Sequence, residues 1–397
     1  MDYTNIKTAV LGSTGSVGTQ AIDALTELGA KITMLAAGKS YEKLIEQALF
    51  CHPEIVATSD KKCGEELEKA LGSTGIKILC GENAICDAIR MCDASLIVHS
   101  ISGMAGLPAA LCAAETGARI AMANKEALIA AGHLIYDRLE KSGGEIIPVD
   151  SEHSAIFQCL CAQGAASPSR PADSSRVRRI LLTASGGPFF GWKTEQLDTV
   201  TPQMALAHPT WKMGPKITID CATLMNKGFE LIEACRLFNV DSDKVEVLVH
   251  RQSIIHSMVE YIDTSVIAQL SYPDMRDCVR FALTYPDRAP AGSPPLDFAK
   301  VGTLTFHEPD NEAFPLLSLA RDTWKRGGTA PAALIAADEE AVDAFLREKI
   351  TFADIARVVI NAMDRITVYE ANSAENIYKA EDEARVITRE CIEKISR

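Results

Sequence analysis

Between Lys7 and Val149 the sequence sets seven short apolar runs, KTAVL, KITMLAA, EIVAT, IKIL, SLIVHS, ARIAMA and EIIPV, among stretches of helical periodicity. A short apolar run that recurs after each amphipathic segment reads as a strand, and the segment between reads as a helix that covers it. Repeating that unit gives a parallel, doubly wound α/β sheet, here a Rossmann-like N-terminal domain. The first turn of the pattern is Gly12-Ser13-Thr14-Gly15-Ser16-Val17-Gly18, after a strand and before the helix-like VGTQAIDAL. Glycines in that position permit a tight turn and close approach of backbone to a pyrophosphate, and a helix N-terminus adds amide donors and a positive dipole end. The spacing G-x-x-G-x-x-G is a variant, but its strand-turn-helix context is that of dinucleotide binding.

The second strand bears on which dinucleotide. An NAD site places an acid about twenty residues beyond the glycines. Here KITMLAA ends in Gly38, Lys39 and Ser40, with no acid before Glu42. A cation and a hydroxyl suit the 2′-phosphate of NADP, whereas a carboxylate would repel it.

Two later strand ends carry chemistry. Ala121–Ala131, AMANKEALIAA, enters a helix at Asn124-Lys125-Glu126, on the carboxyl edge where open α/β sheets hold ligands. Lys125 there could meet a substrate oxygen, or be a solvated lysine behind an Asn cap. IIPVDSEHSAI, Ile146–Ile156, delivers Asp150, Ser151 and Glu152 together. Carboxylates two apart can converge on one hard divalent cation, yet the same letters suit a helix start capped by Asp150 or Ser151. Alone, D-S-E does not choose.

Beyond Ala162–Arg176, an Ala/Ser/Pro-rich surface loop, RILLTA leads into Ser185-Gly186-Gly187-Pro188, a turn able to wrap an anion, though such a sequence is more often only a turn. HPTWKMGPK, His208–Lys216, suits a loop that closes over a ligand, with Trp211 as cover and Gly214 as the free joint, and equally suits Trp211 as a static core anchor. TIDCATLMNKGFELIEACRLF is one helix-period run, on which Asn226 and Glu230 share a face and Lys227 lies about 100° round from Asn226. EVLVH, SMVEYI and SVIAQL then alternate as strands, with His250 and His256 near their ends reading as hydrogen-bonded structural residues. A Pro-rich stretch, Tyr285–Phe298, reads as linker, and from Asn311 the pattern is helical, including a capping-box pair at Thr351 and Asp354. The expected units are 1–150 for NADPH, 151–285 as a central α+β catalytic, metal and dimerisation domain, 286–312 as linker, and 313–397 as a helical domain.

Composition narrows the class. A net charge of −13 argues against a broad nucleic-acid or anionic-membrane surface. Twelve cysteines without a CxxC are best read as reduced thiols. With no apolar run of membrane-spanning length and no signal-like stretch ahead of the first strand, a cytoplasmic enzyme is the expectation.

Taken in order, LGSTGSVG, AGKS, ANKEAL, PVDSEHSAIFQ, LLTASGGPF, HPTWKMGPKI, ATLMNKGFELIEA and HRQSIIHSMVEY resemble the 1-deoxy-D-xylulose 5-phosphate reductoisomerases over about residues 7–390. That resemblance implies NADPH- and metal-dependent conversion of 1-deoxy-D-xylulose 5-phosphate to 2-C-methyl-D-erythritol 4-phosphate, in non-mevalonate isoprenoid synthesis, by a homodimer. It implies Asp150, Glu152 and Glu230 as ligands of Mg²⁺ or Mn²⁺, with Co²⁺ also accepted, and with Lys125 as the catalytic residues. Thr14, Gly15, Ser16, Val17, Gly38, Lys39, Ser40, Asn124, Glu126 and Gly214 match the family's NADPH positions. Lys125, Ser151, Glu152, Ser185, His208, Asn226, Lys227 and Glu230 match its substrate positions, with Ser185, Asn226 and Lys227 around the phosphate. Cys221 stands where the family usually has a phosphate-bonding Ser. Ser40 replaces a common Asn, Arg251 a common Pro, and Asp338 the Asn of A-A-N-E. The Cys221 exchange leaves open another phosphorylated hydroxy-ketone as substrate, and a silent NADP-binding sensor is the alternative of a different class.

Overall fold

Each of the seven apolar runs is a strand. The computed structural model describes residues 3–168, 173–207, 211, 213–290 and 292–395. The runs form β1 (Lys7–Leu11), β2 (Lys31–Ala36), β3 (Ile55–Thr58), β4 (Lys77–Cys80), β5 (Leu96–His99), β6 (Arg119–Met122) and β7 (Glu145–Pro148). They make one parallel sheet in the order β4-β3-β2-β1-β5-β6-β7. The central strands are buried on both faces, which is why they lack polar alternation, whereas edge strand β4 is half exposed. Pro148 sits at the end of the other edge strand, where a missing N–H costs least.

A second sheet is mixed. β8 (Val177–Ala184) runs parallel to β9 (Val245–Val249) and antiparallel to β10 (Ile255–Tyr261), which pairs with edge strand β11 (Val266–Leu270). The helix Ser151–Cys161 packs on this sheet, pinned where the Tyr261 hydroxyl donates to the Cys159 carbonyl at 2.9 Å. That packing brings the carboxyl edge of the first sheet to the second.

The run TIDCATLMNKGFELIEACRLF is not one helix. Leu224 adopts a left-handed conformation, φ 60°, and splits it into Pro215–Ala222 and Met225–Phe238. Periodicity conceals such a break because the apolar positions continue through it, but the consequence is chemical: Asn226 and Lys227 fall in a first helical turn, with its orphan amides. Within 286–312, the stretch expected as linker, His307 exchanges both backbone hydrogen bonds with Val249, at 2.8 and 2.9 Å.

The C-terminal segment is helical, Leu316–Arg326, Ala330–Leu346, Phe352–Met363 and Ala374–Ile395. Thr351 and Asp354 form the expected capping box. The helix Ala330–Leu346 is buried along most of its length, packing on Ala374–Ile395 and touching Lys125–Ser142 and Pro215–Ala222. Among the described residues no helix is long and apolar enough to cross a membrane, and all twelve cysteines are free.

Candidate active site

The strand order reverses between β1 and β5, and ligands of open α/β sheets bind at that crevice. Gly12 there has φ +77°, and a Cβ on it would lie 2.5 Å from the Ser100 carbonyl oxygen. A Cβ on Gly18 would collide with the Gly12 carbonyl. The helix Ser16–Glu27 follows Gly15, which brings no capping side chain, so its first amides are left for an anion. Lys39 and Ser40 are exposed just past β2. The turn therefore fits a pyrophosphate and the β2 end fits a 2′-phosphate. Gly214 is exposed at the start of Pro215–Ala222. Asn124 is buried and does structural duty: its Oδ1 accepts from the Ala127 amide at 2.6 Å and its Nδ2 donates to the carbonyls of Ile101 and Gly103. Glu126, next along, is half-buried in the same first turn.

Both readings of D-S-E hold at once. Asp150 caps the helix Ser151–Cys161, its Oδ1 accepting from the Glu152 amide at 3.1 Å. Yet Asp150, Glu152 and Glu230 also bring ligand oxygens within 4.8 Å of one another. Lys125 Nζ lies 2.9 Å from Asp150 Oδ2, 3.0 Å from Asn226 Oδ1 and 3.5 Å from Glu230 Oε1. Lys227 Nζ bridges Glu152 Oε1 and Glu230 Oε2, 2.5 Å from each. An ammonium thus stands between two carboxylates of the cluster, where one hard cation with oxygen ligands fits. Ser151 donates to Glu152 and Asn226 to Glu230.

The electrostatics follow from burial against charge. Burial disfavours the Lys125 ammonium, but Asp150, Glu230 and Glu233 outweigh it and hold the group well above the usual lysine range. Burial likewise opposes charge on Asp150, and Lys125 and His153 overturn that, holding the carboxyl well below its usual range. For Glu230, burial and then the Glu152 charge push the carboxyl up to about 7.

At the other end of Met225–Phe238's first turn, the Ser185-Gly186-Gly187 turn abuts the end of Pro215–Ala222. A Cβ on Gly187, φ +65°, would lie 2.7 Å from the Cys221 carbonyl oxygen. Cys221 thus closes the helix that precedes Asn226 and Lys227, and the Ser185-Gly186-Gly187 turn packs against its backbone. Burial pushes the Cys221 thiol up to about 12, so it remains an uncharged, weak donor. His208 lies outside the described residues, as do 209, 210 and 212 of the closing-loop sequence; the Trp211 ring lies 6.4 Å from that of His256.

Comparison with known proteins bears directly on this arrangement. Family models described as 1-deoxy-D-xylulose 5-phosphate reductoisomerase match residues 8–132, and models of its C-terminal domains match 146–238 and 270–387. The reductoisomerase of Caulobacter vibrioides is 44% identical over 394 residues, covering 97% of this chain and 96% of that one. This chain belongs to the 1-deoxy-D-xylulose 5-phosphate reductoisomerase family. The reductoisomerase of Synechococcus sp. is 48% identical over 361 residues, 90% of each chain. The solved reductoisomerase of Zymomonas mobilis in complex with NADPH superposes with a TM-score of 0.90 at 39% identity, covering 98% of this chain and 99% of that one. A reductoisomerase in complex with NADPH, fosmidomycin and magnesium gives 0.91 at 37% identity, covering 98% of each.

Within this site two further residues stand out, His153 and Glu233. His153 Nδ1 is 2.9 Å from Asp150 Oδ1, its Nε2 is 2.9 Å from the Glu230 carbonyl oxygen, and Glu233 Oε2 lies 3.6 Å from Nδ1. Burial lowers the imidazole's proton affinity, but Glu233 and Asp150 overturn this and lift it to about 9, so a charged ring donates on both sides. Burial pushes Glu233 up to about 7. The signal was present in the spacing: His153 follows Asp150, and Glu233 follows Glu230, by three helical positions. His256, read as structural, is buried near Glu152 and Trp211 as well. His250 is structural as expected, receiving the Ile254 amide on Nε2 at 3.2 Å and donating from Nδ1 to Thr305 O at 2.9 Å.

Proposed function

We infer that this chain binds NADPH and a divalent ion, Mg²⁺ or Mn²⁺, and converts 1-deoxy-D-xylulose 5-phosphate to 2-C-methyl-D-erythritol 4-phosphate. The observation that carries the reading is the convergence of Asp150, Glu152 and Glu230 around a cation-sized position, in a chain whose first turn fits a dinucleotide. When bound, the ion supplies Lewis-acid polarisation of neighbouring substrate oxygens and NADPH supplies the hydride. The protein's part is to bind, orient and compensate charge. Lys125, already balancing Asp150 and Glu230, is placed to stabilise negative charge developing on a substrate oxygen. His153, with Glu233 behind it, keeps Asp150 ionised and fixed in direction. Ser185, Asn226 and Lys227 hold the phosphate at the N-terminus of Met225–Phe238, so that binding energy remote from the reacting carbons orients them. For Lys227 that role requires its ammonium to leave the carboxylates when the ion enters.

The same proposal includes a homodimer, a cytoplasmic location and the three units 1–150, 151–285 and 313–397 joined by 286–312. Asp150→Asn tests its centre. The variant keeps the helix cap and removes a full ligand charge, so turnover is abolished while NADPH binding, measured by fluorescence titration, survives; unchanged turnover refutes the metal assignment.

A further inference from the structure

The turn that follows β9 runs from His250 to Ser253, closed by the Ser253 amide on the His250 carbonyl at 3.1 Å. Arg251 occupies its second position, where proline is favoured because its ring presets the required φ. This chain forgoes that preset and gains a guanidinium. Arg251 Nη1 donates to the Ser185 carbonyl at 2.7 Å and to the Gly187 carbonyl at 2.6 Å, and its guanidinium carbon lies 5.3 Å from the centre of the Phe190 ring. The turn itself is anchored at its start by the His250 amide on Ala184 O at 2.7 Å and at its third residue by Gln252 Nε2 on Thr305 Oγ1 at 3.0 Å.

The gripped segment is the Ser185-Gly186-Gly187 turn, with Gly186 at φ +77° and Gly187 at φ +65°. Two consecutive left-handed glycines are the most permissive backbone available, so the turn's shape must be held from outside. In a trans peptide the carbonyl and the amide point in opposite directions, so tying the Ser185 carbonyl to Arg251 directs the Gly186 N–H away from it. A charged donor on that carbonyl also strengthens the same peptide's N–H as a donor.

We propose that Arg251 is a positioning residue for the substrate's phosphate, one that locks the Ser-Gly-Gly turn and places a positive charge behind it. It compensates for the thiol of Cys221 standing among the phosphate donors. This rests on the reading of Ser185, Asn226 and Lys227 as the phosphate end of the site.

The test compares wild type, Arg251→Ala, Arg251→Lys and Arg251→Ala/Cys221→Ser, each saturated with NADPH and Mn²⁺. In Arg251→Ala the KM for 1-deoxy-D-xylulose 5-phosphate rises about tenfold, the order expected for loss of one charge-assisted contact, while kcat and the KM for NADPH hold. The Ki of inorganic phosphate as competitive inhibitor rises in parallel. Arg251→Lys recovers most of the loss, and the added Cys221→Ser recovers part of it. A KM and phosphate Ki unchanged in Arg251→Ala overturn the proposal, and so does an equal loss in kcat and NADPH binding with no rescue by lysine. Calorimetric binding of inorganic phosphate to the same proteins separates the two levels: wild type without turnover on this substrate refutes the proposed function, whereas wild type and Arg251→Ala binding phosphate alike refutes the role of Arg251.

Discussion

Replacing Lys227 by Met tests whether its ammonium holds the place of the divalent ion. Methionine keeps nearly the same length and volume, so the substitution deletes charge with little loss of packing. Lys227 Nζ contacts Glu152 and Glu230 at 2.5 Å each, and Glu230 is buried. Removing one partner of a buried ion pair costs about 3–5 kcal/mol. Part of that is recovered, because a proton can take the place of the ammonium: Glu230, already raised to about 7 by burial and Glu152, rises further without Lys227. The sign follows from proton binding. A carboxyl whose folded pKa is raised binds more protons folded than unfolded, so the stability it contributes is present below its unfolded value and is lost as pH rises through the folded one. The gap between variant and wild type is therefore small at pH 6 and reaches about 3 kcal/mol by pH 8.5, some ~5–10 °C in melting temperature. Saturating Mn²⁺ reverses the order of effect, stabilising the variant more than wild type, since the ion no longer displaces a bound cation. Calorimetric melts at the two pH values, with and without Mn²⁺, measure all of this. A loss equal at both pH values and an Mn²⁺ gain no larger than that of wild type would refute the placeholder reasoning.

Two other substitutions probe residues particular to this chain. Cys221→Ser supplies a strong donor at the proposed phosphate end of the site and lowers the KM for substrate about threefold without changing kcat, roughly the difference between a thiol and a hydroxyl contact; a KM that stays put shows that Cys221 does not face the phosphate. Asp338→Asn removes one of two buried carboxylates that share the Lys216 ammonium, at 2.5 Å from Asp338 and 2.6 Å from Asp220. Burial and then Asp338 hold the Asp220 carboxyl well above its usual range, so this cluster loses stability as pH rises; the variant melts higher than wild type at pH 8 by about 2–4 °C, with the gap closing toward pH 5, and a pH-independent difference refutes the repulsion between the two carboxylates as its cause.

How much of this was legible depended on whether the cause was local. The seven strands, the glycine turn and the Thr351–Asp354 cap rest on contacts within a few residues or on burial of a whole run, and the sequence carries both. The left-handed Leu224 did not show, because the apolar pattern runs straight through it and its cause lies in how two helices must meet. The convergence of Asp150 and Glu152 with Glu230 depends on a distant segment packing against the second sheet, and only the family resemblance anticipated it. His153 and Glu233 each sit on a largely apolar helix, and the significance of each is set by what the other helix brings. Arg251 and Asp338 were visible as exchanges, but which groups they would meet is purely tertiary.

The charges of the site account for its pairing of lysines with carboxylates. Asp150, Glu152, Glu230 and Glu233 face Lys125, Lys227 and a His153 lifted to about 9, four formal negative charges against three positive. In a buried cluster an uncompensated charge is costly, and adding a divalent cation alone, or a phosphate dianion alone, unbalances it by two. Adding both restores the original sum, provided one ammonium can move from the carboxylates to the phosphate. Lys227 sits on the first turn of Met225–Phe238, bonded to Glu152 and Glu230, and on the proposed reading of the phosphate end it is the residue that makes that exchange. Ion and phosphate should then strengthen each other's binding by the same factor, a coupling that linkage requires to be reciprocal and that Lys227→Met removes.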